Sequence, residues 1–343
     1  MFTPISALLK SGLGFATAHS MICSNRFCQM IPAQKIFLSI RFLCGLMAIL
    51  SAARLDAAQQ AVAAVPASTG FVDVDGGKLY YEESGQGAHT VVLIHDGVVD
   101  SAVWNDVWSE FCQHFHTVRY DRRGFGKSPA ATSWYSEIDD LAAVLQHLRL
   151  GHAALVGSSH GGGLAIDFTL AHPEIVQELV LVGPVLSGMP YTQHFLDRGR
   201  EAFSLLQNND VKGAIAEWSK DKYLTAPAND AARKKLLNLL TASPQDLTHA
   251  GGDMIMAGKP AFGRLNEIKT PTLIVTGDAD IPDVHAHAGA IEAGIPRAHR
   301  VVMEGAGHLL YLEKPGEFAR LAISFLEANH TIELRQEPRS EGD

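Results

Sequence analysis

Two adjacent serines sit between glycines in the stretch Gly157-Ser158-Ser159-His160-Gly161. The pattern is G-x-S-x-G centred on Ser159. The apolar run AALVGS (153–158) precedes it and a helix-like stretch, GGLAIDFTLAHP (162–173), follows. A serine on a sharp strand-to-helix turn is lifted above the sheet, and the helix N-terminus behind it favours developing negative charge. Such a turn strains the backbone, so the residues two before and two after must have almost no side chain. Ser159 has glycine at both offsets, whereas Ser158 has Val156 and His160. The chemistry indicated is attack by a hydroxyl, which at neutral pH needs an imidazole to take its proton.

The elements that must position this turn are legible on either side. FVDVDGGKLYYEESG (71–85) alternates apolar and polar positions around Gly76-Gly77 and reads as a hairpin. TVVLIH (90–95), HTVRYD (116–121), AALVGS (153–158), QELVLVGP (177–184), PTLIVTGD (271–278) and RVVMEGAG (300–307) read as buried strands. Helical periodicity fills 101–115, 138–150, 162–173 and 315–329. A hairpin followed by alternating strands and helices implies an α/β fold: a mainly parallel, eight-stranded sheet covered on both faces. The alternation stops between Pro184 and Pro271, where only helical periodicity appears. The expected layout is a core over 71–184 and 266–330, with a small helical cap over 185–265. That cap would cover the C-terminal edge of the sheet, where open α/β folds bind ligands.

The rest of the chain narrows the function. A charge of −9, with no run of Lys or Arg, argues against a nucleic-acid partner. Residues 30–58 carry Lys35 and Arg41, an apolar run from Phe42 to Ala53, then small residues around Ala57 and Ala58. That order reads as a secretory signal and predicts a secreted or periplasmic protein. The alternative is an uncleaved anchor, the only route to a membrane. Because this segment does not begin at Met1, Met21 or Met30 is a candidate start. Residues 59–70 read as a linker and 331–343 as a polar tail. Three of the four cysteines precede the domain, and Cys112 reads as a buried apolar side chain. HAHAGA (285–290) reads as a solvated helix start rather than a metal site, and YDRRGFGKSP (120–129) lacks phosphate-loop spacing. No cofactor and no metal are expected.

Across roughly 71–328 the chain resembles the α/β-hydrolase superfamily. The elbow at Ser159 is joined by HDG (95–97) where that family has its oxyanion loop, YDRRGFGKS (120–128), GDAD (277–280) and GAGHLLYLEKP (305–315). The resemblance implies a Ser-Asp-His triad: Ser159 as nucleophile, Asp280 as acid, His308 as general base. Asp278 and Asp283 are rival acids, one early and one late by the family register. The oxyanion donors it implies are the backbone N–H groups of His160 and Gly97. His95 reads as a structural residue hydrogen-bonded within its loop. Asp96 stands where the commoner pattern has glycine. A carboxylate near an oxyanion opposes the charge to be stabilised, so Asp96 is expected to point away, toward loop amides, Arg122 or Arg123. The activity implied is a serine hydrolase acting on a small-molecule ester or lactone through an acyl-enzyme. Carbon–carbon bond hydrolysis of β-diketone-like compounds and cofactor-free haloperoxidase or perhydrolase chemistry use the same triad, and a ligand receptor on the same fold is the non-enzymatic alternative. Met189, Tyr191, Phe195, Phe203, Trp218 and Tyr223 are read first as the insertion's own core and second as a pocket lining.

Overall fold

The computed structural model describes residues 67–249 and 258–336. The signal-like segment, residues 1–29 and most of the 59–70 linker lie outside the described residues, as do 337–343. Eight strands form one sheet: β1 (Ser68–Val74), β2 (Gly77–Ser84), β3 (Thr90–Ile94), β4 (His116–Tyr120), β5 (Ala153–Ser158), β6 (Val176–Val182), β7 (Thr272–Gly277) and β8 (Ala298–Met303). Their spatial order is β1-β2-β4-β3-β5-β6-β7-β8. The pairs β1–β2 and β2–β4 are antiparallel and every other pair is parallel. Strand β1 starts at Ser68, inside the stretch read as linker, because Ser68 and Thr69 already pair with Glu83 and Glu82.

The central strands are apolar on both faces because each face carries its own core. Val91, Leu93, Val156 and Val180 pack with Val107 and Phe111 of α1 (Asn105–His114) and with Phe318, Ala322 and Leu326 of the C-terminal helix. Val92, Ile94, Leu155 and Leu181 face the other way. They meet Leu141 and Val144 of α2 (Glu137–His147) and Phe168 of α3 (His160–Ala171). Full burial of each such side chain contributes roughly 1.5–3 kcal/mol, so the two faces together fix the register of the sheet.

The break in alternation after β6 is occupied by helices α4 (Gln193–Arg198), α5 (Arg200–Gln207), α6 (Val211–Trp218), α7 (Asp230–Ala242) and α8 (Asp246–His249). Side chains start several of them: Asp210 accepts Gly213 N–H and Asn229 accepts Ala232 N–H. Helix α9 (Pro282–Gly294) follows β7 with proline at its first position. Helices α10 (Leu310–Glu313) and α11 (Pro315–Gln336) end the described chain. Helix α11 runs past 329 into the stretch read as a polar tail. No helix among the described residues is long and apolar enough to cross a membrane.

Cys112 is buried, as its apolar surroundings imply. YDRRGFGKSP forms a structural turn. Asp121 accepts the N–H groups of Ser101 (3.1 Å) and Lys127 (2.8 Å), and Ser128 Oγ donates to Asp121 O. Arg123 locks that turn to α2 through a two-point contact with Asp140, at 2.6 and 2.8 Å.

The insertion grips the same turn from the other side. Gln245 Nε2 donates to Gly126 O (3.0 Å), and Asp246 Oδ1 accepts Gly126 N–H (2.8 Å). Burial pushes the Asp246 carboxyl up to about 8 against the pull of that amide, and the carboxylates of Asp100, Asp121 and Asp96 push the same way. The folded protein therefore holds a proton that the unfolded chain, with an Asp near ~3.9, has released. Stability falls as pH rises from about 4 through about 8. Asp246→Asn keeps a carbonyl for Gly126 and removes the titration. Relative to wild type, its melting temperature should rise steadily between about pH 4 and pH 9, because only wild type loses stability over that range. Parallel wild-type and mutant curves across this range would contradict the assignment.

Candidate active site

Strand β5 passes into α3 through Ser159 alone. Its backbone sits at φ 52°, ψ −113°, one of three non-glycine residues with positive φ among those described. Such a conformation costs of order 1–3 kcal/mol and persists only where the surroundings enforce it. Here they do. Ser159 N–H donates to Val182 O (2.8 Å), and its carbonyl accepts Gly163 N–H (3.0 Å) and Val185 N–H (3.3 Å). A Cβ on Gly157 would lie 2.3 Å from Gly161 O, and one on Gly161 would lie 2.4 Å from His95 O. Both flanking glycines are thus demanded by backbone atoms that cannot move. The Ser159 side chain makes no capping hydrogen bond, so its hydroxyl is uncommitted to the helix. Ser158 is fully buried, its Oγ 3.0 Å from the Tyr311 hydroxyl.

The imidazole of His308 meets the carboxylate of Asp280: Nδ1 lies 2.8 Å from Oδ1. Ile281 N–H donates to the same oxygen at 2.6 Å. Both side chains are buried. This pairing leaves Nε2 as the ring nitrogen for other work. Asp278 is exposed and accepts Ala306 N–H, while Asp283 is buried and takes Thr192 through its amide (2.6 Å) and hydroxyl (2.8 Å). Neither rival faces His308. The loop carrying the histidine is clamped to the insertion: His308 N–H donates to Tyr223 O (2.7 Å) and Leu309 N–H to Leu224 O (2.9 Å). Glu313 adds a second clamp, accepting Ala226 N–H at 2.7 Å and Gly307 N–H at 2.5 Å.

Sequence reasoning gave Gly183 no role, and the structure gives it one. It follows β6 at φ 51°. A Cβ there would lie 2.9 Å from His308 Nδ1 and 3.1 Å from Asp280 Oδ2. The Gly-Pro pair closing an apolar strand was the available signal. Tyr311 was also missed. Its hydroxyl donates to Asp96 Oδ2 (3.1 Å) and its ring stacks on Trp104 at 4.3 Å between centroids.

Asp96 points into the core. Its Oδ1 accepts the N–H groups of Val98 (2.6 Å) and Val99 (3.2 Å). Burial raises its carboxyl, and the Val98 amide, His308, the Val99 amide and the Tyr311 hydroxyl oppose that rise. Arg122 reaches the Asp96 backbone carbonyl (2.5 Å) rather than its carboxylate, and Arg123 is spent on Asp140. His95 donates from Nδ1 to Asp96 O (2.8 Å) and accepts Arg122 N–H at Nε2 (3.0 Å). Burial, with Arg122 nearby, holds its imidazole well below the usual range and so neutral. Arg122 continues to Glu137 (2.6 Å), which also meets His160 Nε2 (2.6 Å). Burial alone would raise the Glu137 carboxyl, but His160 and Arg122 hold it well below the usual carboxylate range.

Ser159, His308, Gly97 and His160 border one cavity of about 270 Å³. Its other walls include Tyr191, Phe195, Leu196, Phe203 and Trp218. Four of the six aromatic and apolar side chains read first as the insertion's own core therefore face this space. Met189 borders a neighbouring cavity of about 280 Å³, and Tyr223 a third on the insertion. Arg198 also reaches the Ser159 cavity. Its Nη1 bonds Asp221 (2.7 Å), Phe195 and Trp218 flank its guanidinium, and its Nε has no partner among the described residues. HAHAGA differs from the expectation of a solvated helix start: His287 is fully buried, accepts Leu186 N–H at Nδ1 (3.0 Å) and stacks on Tyr191.

A family model described as the alpha/beta hydrolase fold matches residues 90–315. A 2-hydroxy-6-oxononadienedioate/2-hydroxy-6-oxononatrienedioate hydrolase of Paraburkholderia phymatum is 28% identical over 294 residues, covering 76% of this chain and 96% of that protein. Among solved structures, Est816, described as an N-acyl homoserine lactone degrading enzyme, is 26% identical with a TM-score of 0.62, covering 75% of this chain and all of that one. A thermophilic esterase from Thermogutta terrifontis is 25% identical with a TM-score of 0.65, covering 77% and 99%.

Tyr311→Phe isolates the hydroxyl that bridges Asp96 and Ser158. A buried carboxylate then loses one of its three donors, and stability should fall by about 1–3 kcal/mol. Chemical denaturation measures this, and an unchanged midpoint would mean that the hydroxyl contributes nothing to holding the loop.

Proposed function

The chain belongs to the alpha/beta hydrolase fold family, and from that premise we propose that this hydrolase cleaves a small ester or lactone through an acyl-enzyme formed on Ser159. The observation that carries the reading is the shared cavity: the strained Ser159 and the Asp280-paired His308 border the same small, largely aromatic space. A volume of about 270 Å³ is at the lower end of the ~300–1,000 Å³ usual for ligand sites and suits a small acyl group.

In this reading Ser159 Oγ attacks the substrate carbonyl carbon as His308 Nε2 takes its proton. Asp280 holds the imidazole through Nδ1–H and stabilises the imidazolium. The oxyanion is received by the backbone N–H groups of Gly97 and His160. The carboxylate of Asp96 engages the Val98 and Val99 amides and so shapes the Gly97 loop. Collapse of the tetrahedral intermediate passes the His308 proton to the departing alkoxide. A water deprotonated by His308 then attacks the acyl carbon and frees Ser159. The esterase and the lactone-degrading enzyme described above support this substrate class.

A second reading is carbon–carbon bond hydrolysis, favoured by the cationic Arg198 in the cavity wall and by the dienedioate hydrolase as a relative. A panel of neutral esters, lactones and carboxylate-bearing β-diketones separates the two. Turnover confined to the diketones would replace the ester reading.

A fluorophosphonate probe should label wild type and not Ser159→Ala, and that substitution should lower kcat by roughly 10⁴-fold or more. Absence of labelling in folded wild type would end the nucleophile assignment. Gly183→Ala tests the histidine's seat. Its Cβ would crowd His308 and Asp280, so kcat should fall at least about tenfold, a change of ~1.4 kcal/mol, with KM little altered. Wild-type kcat in that variant would show that the close approach does not matter.

A further inference from the structure

A second cluster of titratable side chains lies at the other end of the parallel strands. His89 immediately precedes β3, Glu178 is near the start of β6, and His330 is on α11. Ser159, by contrast, follows the last residue of β5. One nitrogen or oxygen from each of the three lies within 4.8 Å of the others. His89 and Glu178 are 6% and 0% exposed, and His330 is half-buried. His89 Nε2 is 3.1 Å from Glu178 Oε2. The two imidazoles stack, with centroids 4.0 Å apart and planes 10° from parallel, and Phe115 packs edge-on against His89 at 5.1 Å.

A simple His–Glu ion pair leaves this arrangement unexplained. His89 Nδ1, Glu178 Oε1 and His330 Nδ1 are buried polar atoms with no hydrogen-bond partner among the described residues. Leaving such atoms unpaired is costly. Protonating both rings would stack two cations 4.0 Å apart. Two imidazoles beside a buried carboxylate are a donor set that suits a borderline-soft divalent cation.

We propose that His89, Glu178 and His330 bind one divalent transition-metal ion of the zinc class, which pins the C-terminal helix to the N-terminal end of the sheet. Two nitrogens and one carboxylate supply three positions, and water completes a tetrahedron. Ligand atoms about 2.0–2.1 Å from zinc sit roughly 3.3 Å from each other. Binding thus closes the separations in the structure by at most about an ångström and a half, and because an imidazole lone pair lies in its ring plane, it also turns one ring out of the parallel stack. The half-buried His330, near the end of its helix, is the one free to move. The role is structural, since none of the three residues borders the Ser159 cavity.

The test uses the full chain, stripped with a chelator and returned to chelator-free buffer. Zinc should bind at one ion per chain and raise the melting temperature, and Co²⁺ should give the visible absorption of a tetrahedral N/O site. His330→Ala, at a half-buried position, and Glu178→Gln should each weaken zinc binding at least tenfold and abolish the thermal shift. His194→Ala, remote from the cluster in sequence, should leave both unchanged. Failure of wild type to bind zinc stoichiometrically would overturn the proposal. So would binding of equal strength in folded His330→Ala, which would place the ion elsewhere in the chain.

Discussion

Everything near the cavity follows from one steric demand: β5 must become α3 within a single residue. Meeting it puts Ser159 at positive φ and brings Gly157, Gly161 and the carbonyl of His95 within the distance of one missing Cβ. The turn cannot relax, because the Ser159 amide is tied to β6 through Val182 O and its carbonyl is tied forward to Gly163 and Val185. Strain at Ser159 is therefore held by the two strands beside it and the helix after it. Strand β5 is buried along its whole length and β6 at every residue but Gln177.

The remaining parts are fitted around that turn by buried charge. The carboxylates close to it are engaged by specific partners, apart from Asp280 Oδ2, which has none among the described residues. Asp280 takes His308 and the Ile281 amide, Asp96 takes two amides and a tyrosine hydroxyl, and Glu137 takes Arg122 and His160. A carboxylate in the loop after β3, so close to a nucleophile candidate, looks unfavourable in one dimension. In three dimensions it acts as a fastener, because its charge is used on Val98 and Val99 and directed toward Tyr311. The insertion is fastened by backbone contacts instead: Tyr223 and Leu224 carbonyls receive the His308 and Leu309 amides. The histidine's position thus depends on a segment more than eighty residues earlier in the chain.

The central strands were legible because both sheet faces are covered there and their residues are almost uniformly apolar; AALVGS coincides with β5, whereas RVVMEGAG, read as a buried strand, contributes only to β8 (Ala298–Met303), an edge strand that is mostly half-buried or exposed. Helix ends were less so. Helix α3 spans His160–Ala171, starting two residues before the stretch read as helical from 162, because packing against the sheet overrides glycine's weak helix propensity. Helix α11 continues past the last apolar turn for which periodicity could argue. The aromatic side chains of the insertion could not be divided between core and cavity wall from spacing alone, since both uses favour the same residues. His287 defeats its surroundings in sequence: HAHAGA looks solvated, yet Leu186 and Tyr191 arrive from a distant segment to cover it.

By itself the sequence determined which serine can sit at the turn. That is a local matter of whether the residues two away have side chains, and composition at fixed offsets answers it. It also determined the alternation of strands and helices, because burial on two faces leaves an apolar run that no neighbour can disguise. The tertiary structure decided everything that depends on approach between distant segments: which aspartate meets His308, where the Asp96 carboxylate is spent, why Gly183 must lack a side chain, and which aromatics open onto the cavity. It also decided that His89, Glu178 and His330 meet at all. The physical reason is the same throughout. Steric limits within a turn are written in adjacent residues, whereas hydrogen bonds and burial are properties of pairs that only the folded chain brings together.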